Sequence, residues 1–278
     1  MLMDCTVPFG SGLSSSAAIE VSTIAAMATV AGEELDGKAI APSAQKAEHE
    51  FAGVHCGIMD QYISACGKKD HAVLLDCKTL EREYIPVVLG DHDIVVINCK
   101  KPHNLVESKY NERRAETELA LETLKKVVNI TCLADLTPEE FARHSGCLTS
   151  LGGKISDRAK HVVEECARVN LATESMKKGD MAWFGSLLNE SHFSLKDLYE
   201  VTGRELDSLT ASAREHPACL GSRMTGAGFG GCTVSLVKKD GRADFEEYVL
   251  RKYREETGYT AEIYDAVLSD GITVQKLG

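Results

Sequence analysis

Residues 17–31 form an almost unbroken Ala/Val/Ile/Met run carrying Glu20, Ser22 and Thr23 and closed by Gly32, which predicts a buried core helix over 14–31. Helical spacing of Ala44, Ala47 and Phe51 after Pro42 predicts a second helix over 43–51, and 57–65 reads as a short third. Alternation over 72–76 and 83–88 predicts two strands, and Ile-Val-Val-Ile within 93–98 a buried one. Amphipathic patterns place helices over 109–128, 138–144, 155–174, 176–188, 200–215 and 243–257. Residues 219–225 lead into a glycine-rich loop, and 232–238, 260–264 and 271–277 read as strands, as does the end of a strand over 1–8. Helices and strands do not strictly alternate, so the class is α+β. The composition break at Leu89-Gly90-Asp91 divides the chain into 1–90 and 91–278.

The 278 residues are enough for two domains, with 44% hydrophobic and 26% charged residues, the balance of a globular protein. A net charge of −11 argues against nucleic acid as a partner but not against ATP, whose phosphates can be held by backbone N–H groups. No apolar run reaches the length of a membrane span, and the first residues do not read as a targeting signal. Ten cysteines at irregular spacing, with no C-x-x-C pair, read as reduced thiols, which predicts a cytoplasmic location. No His/Cys cluster suggests zinc.

Chemistry concentrates in four places. In Gly10-Ser11-Gly12-Leu13-Ser14-Ser15-Ser16, glycines free the backbone where a helix begins. Such a start offers unpaired N–H groups to an anion; the same residues could equally be a solvent-facing loop with a serine N-cap. The loop lacks the Gly-Lys-Ser/Thr of a Walker A motif and the spacing of a dinucleotide fingerprint. Asp60, flanked by apolar residues in Cys-Gly-Ile-Met-Asp-Gln, is either a functional carboxylate or a helix-start residue bonding backbone N–H groups. Glu48 and Glu50 are not separable by pattern, and Tyr110 could serve a ligand or the core. Four glycines within 226–231 mark close backbone approach.

These segments, with Ala47–Val54, Cys56–Ser64, Ser108–Arg114 and Ser222–Cys232, resemble in order the motifs of the GHMP small-molecule kinases, in wording closest to the galactokinase branch. The resemblance runs from about residue 5 to the end of the chain. It implies a two-domain GHMP fold, with a ribosomal protein S5 domain 2-like first domain, incomplete here, and a ferredoxin-like second one. It implies ATP-dependent phosphorylation of D-galactose at the C1 hydroxyl, with ATP as co-substrate, Mg²⁺ as cofactor, no nucleic-acid or membrane partner, and action as a monomer. By the same resemblance Asp60 accepts the C1 hydroxyl proton, Gly57, Asp60 and Tyr110 contact the sugar, and Ser16 and Glu48 hold Mg²⁺. Gly10, Ser11, Gly12, Leu13, Ser14, Ser15, Ser16, Gly226 and Gly228 then form the phosphate wall. The family's first signature, Gly-Arg-x-Asn…Glu-His-x-Asp, is absent from these residues; it supplies an arginine to the transferring phosphoryl group and side chains that grip the sugar. The chain therefore reads as N-terminally truncated and is expected to have little activity alone. Alternatives are a GHMP kinase for N-acetylgalactosamine or arabinose, and a non-catalytic sugar sensor; the intact Ser15-Ser16-Ala17-Ala18 favours the enzyme.

Overall fold

The computed structural model describes residues 2–101 and 106–275, side chains of residues 106–108 excepted. The described residues fall into two units: those before Leu89 together with those after Asp265, and Leu89–Asp265.

The first unit opens without a strand: residues 2–6 are irregular, contrary to the pattern-based expectation, and so is 271–275, where a closing strand was expected up to Leu277; residues 276 and 277 lie outside the described residues. Helix α1, Ser15–Ala31, buries one stripe, Ala17, Val21 and Ala25, spaced four residues apart. It is not the fully buried helix its composition suggests. Ile19, Met27 and Val30 on its other face are 36%, 66% and 90% exposed.

Helix α2, Gly37–Ala47, begins six residues earlier than the pattern predicts, because the Asp36 carboxylate accepts the Lys38 N–H at 2.9 Å and caps it. Pro42 lies inside it rather than before it; the carbonyl that loses its donor belongs to exposed Lys38, where water can take it. The helix runs into a π-helical turn, Glu48–Ala52, ended by Gly53 at φ 71°. Helix α3, Met59–Cys66, packs on α1 and α2 around Ile40, Ala44, Ile58 and Tyr62. The hairpin β1, His71–Leu75, and β2, Arg82–Pro86, pairs antiparallel and completes this core with Val73 and Leu75. Ile272 joins the same core, and the Lys69 and Gly271 amides bond Asp270 and Gly67.

The second unit holds β3, His92–Asn98, then α4, Val106–Leu124, α5, Pro138–His144, α6, Gly153–Lys178, α7, Met181–Ser194, and α8, Arg204–Glu215. It closes with β4, Cys219–Thr225, β5, Cys232–Lys238, α9, Arg242–Thr257, and β6, Glu262–Asp265. The sheet order is β4-β5-β3-β6, all antiparallel. Taken in chain order these strands are second, third, first and fourth across the sheet, the ferredoxin-like arrangement, with α4–α7 added ahead of α8. Val95, Ile97, Met224 and Val237 meet Leu206, Leu209, Phe245 and Tyr253 in its main core. A second core gathers Ala120, Leu124, Phe141, Leu148 and Val163 from α4–α6.

The pattern breaks α6 at residue 175; the helix continues to Gly179, whose φ of 69° ends it with two backbone bonds, and Asp180 then caps α7 through the Trp183 N–H at 2.9 Å. Glycine chemistry, not polarity, sets that boundary. Edge strand β4 is covered by α7: Asn189 accepts the Ser222 N–H at 2.9 Å and His192 Nδ1 the Met224 N–H at 3.2 Å.

Buried His161 bonds Ser194 Oγ at 2.8 Å and stacks on Tyr199. Burial holds its imidazole neutral down to about 4, assisted by Arg168, Arg223 and Arg158 and opposed by Glu165. Between about 6.5 and 4 the unfolded chain binds a proton that the folded chain refuses, so stability rises with pH across that window and is lost as pH falls through it. The loss attributable to His161 is at most about 3 kcal/mol. His161→Gln, which keeps a hydrogen-bonding side chain but cannot titrate, is expected to flatten the fall in urea midpoint between neutral and acid pH. An unchanged slope would count against this account.

Candidate active site

In the first unit the loop before α1 alternates backbone hand. Gly10, Gly12 and Ser14 take φ of 64°, 73° and 60°, while Ser11 and Leu13 between them do not. Such alternation turns successive N–H groups toward one side and makes an anion-binding concavity. Ser14 sits at the N-cap position of α1 without any side-chain capping bond. The alternative of a conventional serine cap is thus not the observed geometry. Ser11 is buried; its hydroxyl donates to Pro8 O at 2.7 Å and accepts the Leu13 N–H at 3.3 Å, so this side chain closes the loop on itself. Ser15 opens α1, and Ser16, next in the helix, is exposed.

One helical turn beyond Ser16, on the same face, stands Glu20. Its Oε2 accepts from Gln61 Nε2 at 3.3 Å, and the Glu48 carboxyl is its neighbour. Burial, then the neighbouring Glu48 carboxyl, push Glu20 up to about 7, against the pull of the Gln61 amide. Glu48 begins the π-helical turn and is 9% exposed; its Oε2 is buried with no hydrogen-bond partner. Gln61, 2% exposed, is left with an unpartnered Oε1. Burial raises the Cys56 thiol pKa, and the charges of Glu48, Glu20 and Asp60 add to that in the same direction, while Gln61 Nε2 donates to Cys56 Sγ at 3.8 Å. The turn holding Cys56 and Gly57 is fixed by Gln45 Nε2 donating to Cys56 O at 3.0 Å and by the His49 ring at 2.9 Å from the same oxygen. Half-buried Asp60 lies in the first turn of α3, whose start has no side-chain cap.

These groups suit Mg²⁺, a hard cation that takes a hydroxyl and one or two carboxylates while sharing its remaining positions with phosphate and water. The unpartnered Glu48 Oε2 is the observation that fits. Among the described residues no group of three or more His, Cys, Asp and Glu side chains could hold a metal alone.

The second unit carries the remaining sequence-predicted residues. In Gly226–Gly231, Gly226, Gly228, Gly230 and Gly231 all have positive φ, as does Phe229 at 60°. The Phe229 N–H donates to Val201 O at 2.6 Å, and a Cβ on Gly228 would fall 2.2 Å from that same oxygen, so glycine is obligatory there. Lys109 Nζ stands 5.1 Å from the centre of the Phe229 ring, which joins the first turns of α4, where Tyr110 lies half-buried, to this loop. Deeper, Arg158 is fully buried and bonds Glu116 at 3.0 Å and Glu200 at 2.6 Å, and Arg113 shares Glu116 at 2.7 Å. The structure thus gathers Gly10–Ser16, Glu48, Gly57 and Asp60 in one unit, and Tyr110, Gly226 and Gly228 in the other.

Sequence reasoning missed Glu20 and Gln61 as members of the carboxylate cluster. The available signal was a glutamate one turn past a serine loop inside an otherwise apolar helix.

Comparison with known proteins identifies the family of this fold. The GHMP kinases N terminal domain family matches residues 1–68, and the GHMP kinases C terminal family matches residues 172–255. A galactokinase of Fusobacterium nucleatum subsp. nucleatum is 47% identical over 266 residues, covering 95% of this chain and 68% of its own length. The chain belongs to the galactokinase family of GHMP kinases. A galactokinase of Clostridium acetobutylicum is also 47% identical, over 271 residues, 96% of this chain and 68% of that protein. The crystal structure of Lactococcus lactis galactokinase complexed with galactose superposes with a TM-score of 0.92 at 41% identity, covering 95% of this chain and 68% of that one. Mevalonate kinase of L. major, at 19% identity and a TM-score of 0.58 over 94% of this chain and 67% of that one, shares the fold. The expected α+β GHMP fold and the ATP-dependent sugar-kinase class therefore hold for this galactokinase-family chain. Among the described residues no helix is long and apolar enough to cross a membrane.

Proposed function

We propose that this galactokinase-family chain carries the phosphate-holding loop and the proton acceptor of an enzyme that transfers the γ-phosphoryl group of ATP to the C1 hydroxyl of D-galactose. The products are galactose 1-phosphate and ADP. The observation that carries this reading is the alternating-hand loop Gly10–Ser14 at the start of α1, in the same unit as the unpartnered Glu48 Oε2 and the half-buried Asp60. The loop's N–H groups hold phosphate oxygens, with Gly226 and Gly228 as a second glycine wall. Asp60 accepts the proton of the attacking hydroxyl, since an alcohol cannot form a phosphate ester without losing it. Gly57 and Tyr110 line the sugar: a residue without a side chain permits close approach, and a tyrosine offers a ring face and a hydroxyl. Mg²⁺, when bound through Ser16 and Glu48, neutralises the charge building up on the phosphoryl oxygens. The Fusobacterium and Clostridium relatives named above are galactokinases, and the Lactococcus structure holds galactose. The ten cysteines stand as thiols, which supports a cytoplasmic protein in a reducing compartment, and we read it as acting as a monomer.

The deciding experiment is a coupled ADP-release assay across galactose, N-acetylgalactosamine, arabinose, mevalonate and homoserine. It is run on the 278-residue chain and on the same residues joined to an N-terminal segment carrying the family's first signature. Galactose should be the preferred acceptor. Preference for a non-sugar acceptor would overturn the reading, and preference for another sugar would move it to the corresponding kinase.

A further inference from the structure

Glu20, Glu48 and Gln61 come from three elements, α1, the π-helical turn and α3, and meet in the interior of the first unit. Glu20 stands next to both others: its Oε2 takes the Gln61 amide at 3.3 Å, and the Glu48 carboxyl is its neighbour. Two buried oxygens of the trio, Glu48 Oε2 and Gln61 Oε1, have no partner. Glu48 is 9% exposed and Gln61 2%, so water does not readily make up the shortfall. Among the described residues no lysine or arginine forms an ion pair with Glu20 or Glu48. A buried carboxyl, Glu48, with an unpaired oxygen, a half-buried second carboxyl beside it and no countercharge is costly, and such a cost is retained where a cation completes the arrangement. Glu20 also shares a helix face with Ser16, one turn away.

We propose that Glu20 is a positioning residue of the divalent-cation site: it orients Glu48 and places a second carboxylate behind the ion, while Gln61 ties that pair to α3, the helix bearing Asp60. This rests on the reading that Glu48 holds the cation, and extends it to two residues that the motif resemblance does not assign. One element order thereby couples three tasks. The helix behind the phosphate loop, the metal carboxylate and the helix of the proton acceptor are set by one trio of neighbouring side chains, of which Gln61 and Glu20 are hydrogen-bonded.

Two consequences have opposite signs. Without a cation, Glu20 adds a half-buried carboxyl beside a buried one, so Glu20→Gln, of the same shape, should leave unfolding temperature unchanged or raise it. With a cation, the same substitution should weaken binding about tenfold, the lower end of what loss of a group supporting a metal ligand costs. The probe is Mn²⁺ alone, titrated into the 278-residue chain and read by its electron paramagnetic resonance signal. Unfolding temperature is measured alongside, in chelator and in about 10 mM Mg²⁺. A lowered unfolding temperature in chelator with wild-type Mn²⁺ affinity would mean that Glu20 is only structural, and the inference falls. Glu48→Gln is run beside it. If that variant loses Mn²⁺ and Glu20→Gln does not, the inference fails while the reading of Glu48 stands. If neither loses it, or the wild-type chain has no saturable Mn²⁺ site, both fail. Should Glu20→Gln not fold, Gln61→Met, which keeps volume but cuts the tether, takes its place. It is expected to weaken Mn²⁺ about threefold or more, and wild-type affinity in it would likewise overturn the inference.

Discussion

Asp60→Asn is expected to lower kcat with galactose by on the order of 100-fold or more, the usual scale for loss of a general base, while the KM for galactose changes little. Asn keeps the shape and polarity of the side chain and removes only its capacity to take a proton. The structure weakens the competing reading of Asp60 as a cap. Helix α3 starts without a side-chain capping bond, and no ion pair engages Asp60 among the described residues. An acidic residue serving only the helix dipole would contribute about 0.5 kcal/mol to stability and nothing to turnover. The two roles separate cleanly: measured in the joined protein of the substrate assay, kcat within about threefold of wild type, with a small drop in unfolding temperature, would make Asp60 structural.

Gly221→Ala is expected to destabilise the second unit by about 3 kcal/mol or more, beyond the ordinary range of single substitutions. A Cβ at this position would lie 1.9 Å from Gly185 O and 2.5 Å from Gly185 C, and these are backbone atoms of α7 that cannot swing aside. Gly185 is equally constrained, 2.5 Å from Leu220 O by the same construction. The β-bulge between Cys219 and Gly221 brings the strand to this approach. If α7 is lifted, Asn189 and His192 leave the Ser222 and Met224 N–H groups, so the edge of the sheet is uncovered and association should accompany the lost stability. Gly146→Ala, where an added Cβ meets nothing within 4 Å, is the control and should move stability by less than about 0.5 kcal/mol. Thermal unfolding and light scattering of both variants check this; a Gly221→Ala protein as stable as the control would refute the packing argument.

Much of the second unit was legible because its elements carry their own punctuation. Strands β3 and β5 are short apolar runs, Thr137 and Pro138 start α5, and Gly258 ends α9. Misreadings fall where tertiary context decides. Pro42 normally starts a helix, but an Asp36 cap and an exposed Lys38 carbonyl let α2 run through it. The composition of α1 suggests burial on all sides, yet only the Ala17-Val21-Ala25 stripe is covered. In the site, the glycine loop and Asp60 stood out as motifs, because backbone freedom and an isolated carboxylate are visible in one dimension. Glu20 and Gln61 were not visible, since what makes them notable is a meeting of side chains forty-one positions apart.

The second unit is one continuous stretch, Leu89–Asp265, whereas the first is assembled from segments on both sides of it. Ile272 enters the core of Ile40 and Tyr62, and the Gly271 N–H bonds Gly67 O at 2.9 Å, across about two hundred intervening positions. On the ribosome, therefore, the segment before Leu89 cannot complete its core as soon as it emerges. Glu20, Glu48 and Asp60 must wait, their surroundings partly formed, until the whole ferredoxin-like unit has been made and residues beyond Asp265 arrive to close the earlier core. Completion of that core is then gated by synthesis of a segment about two hundred positions away rather than by synthesis of the helices it joins.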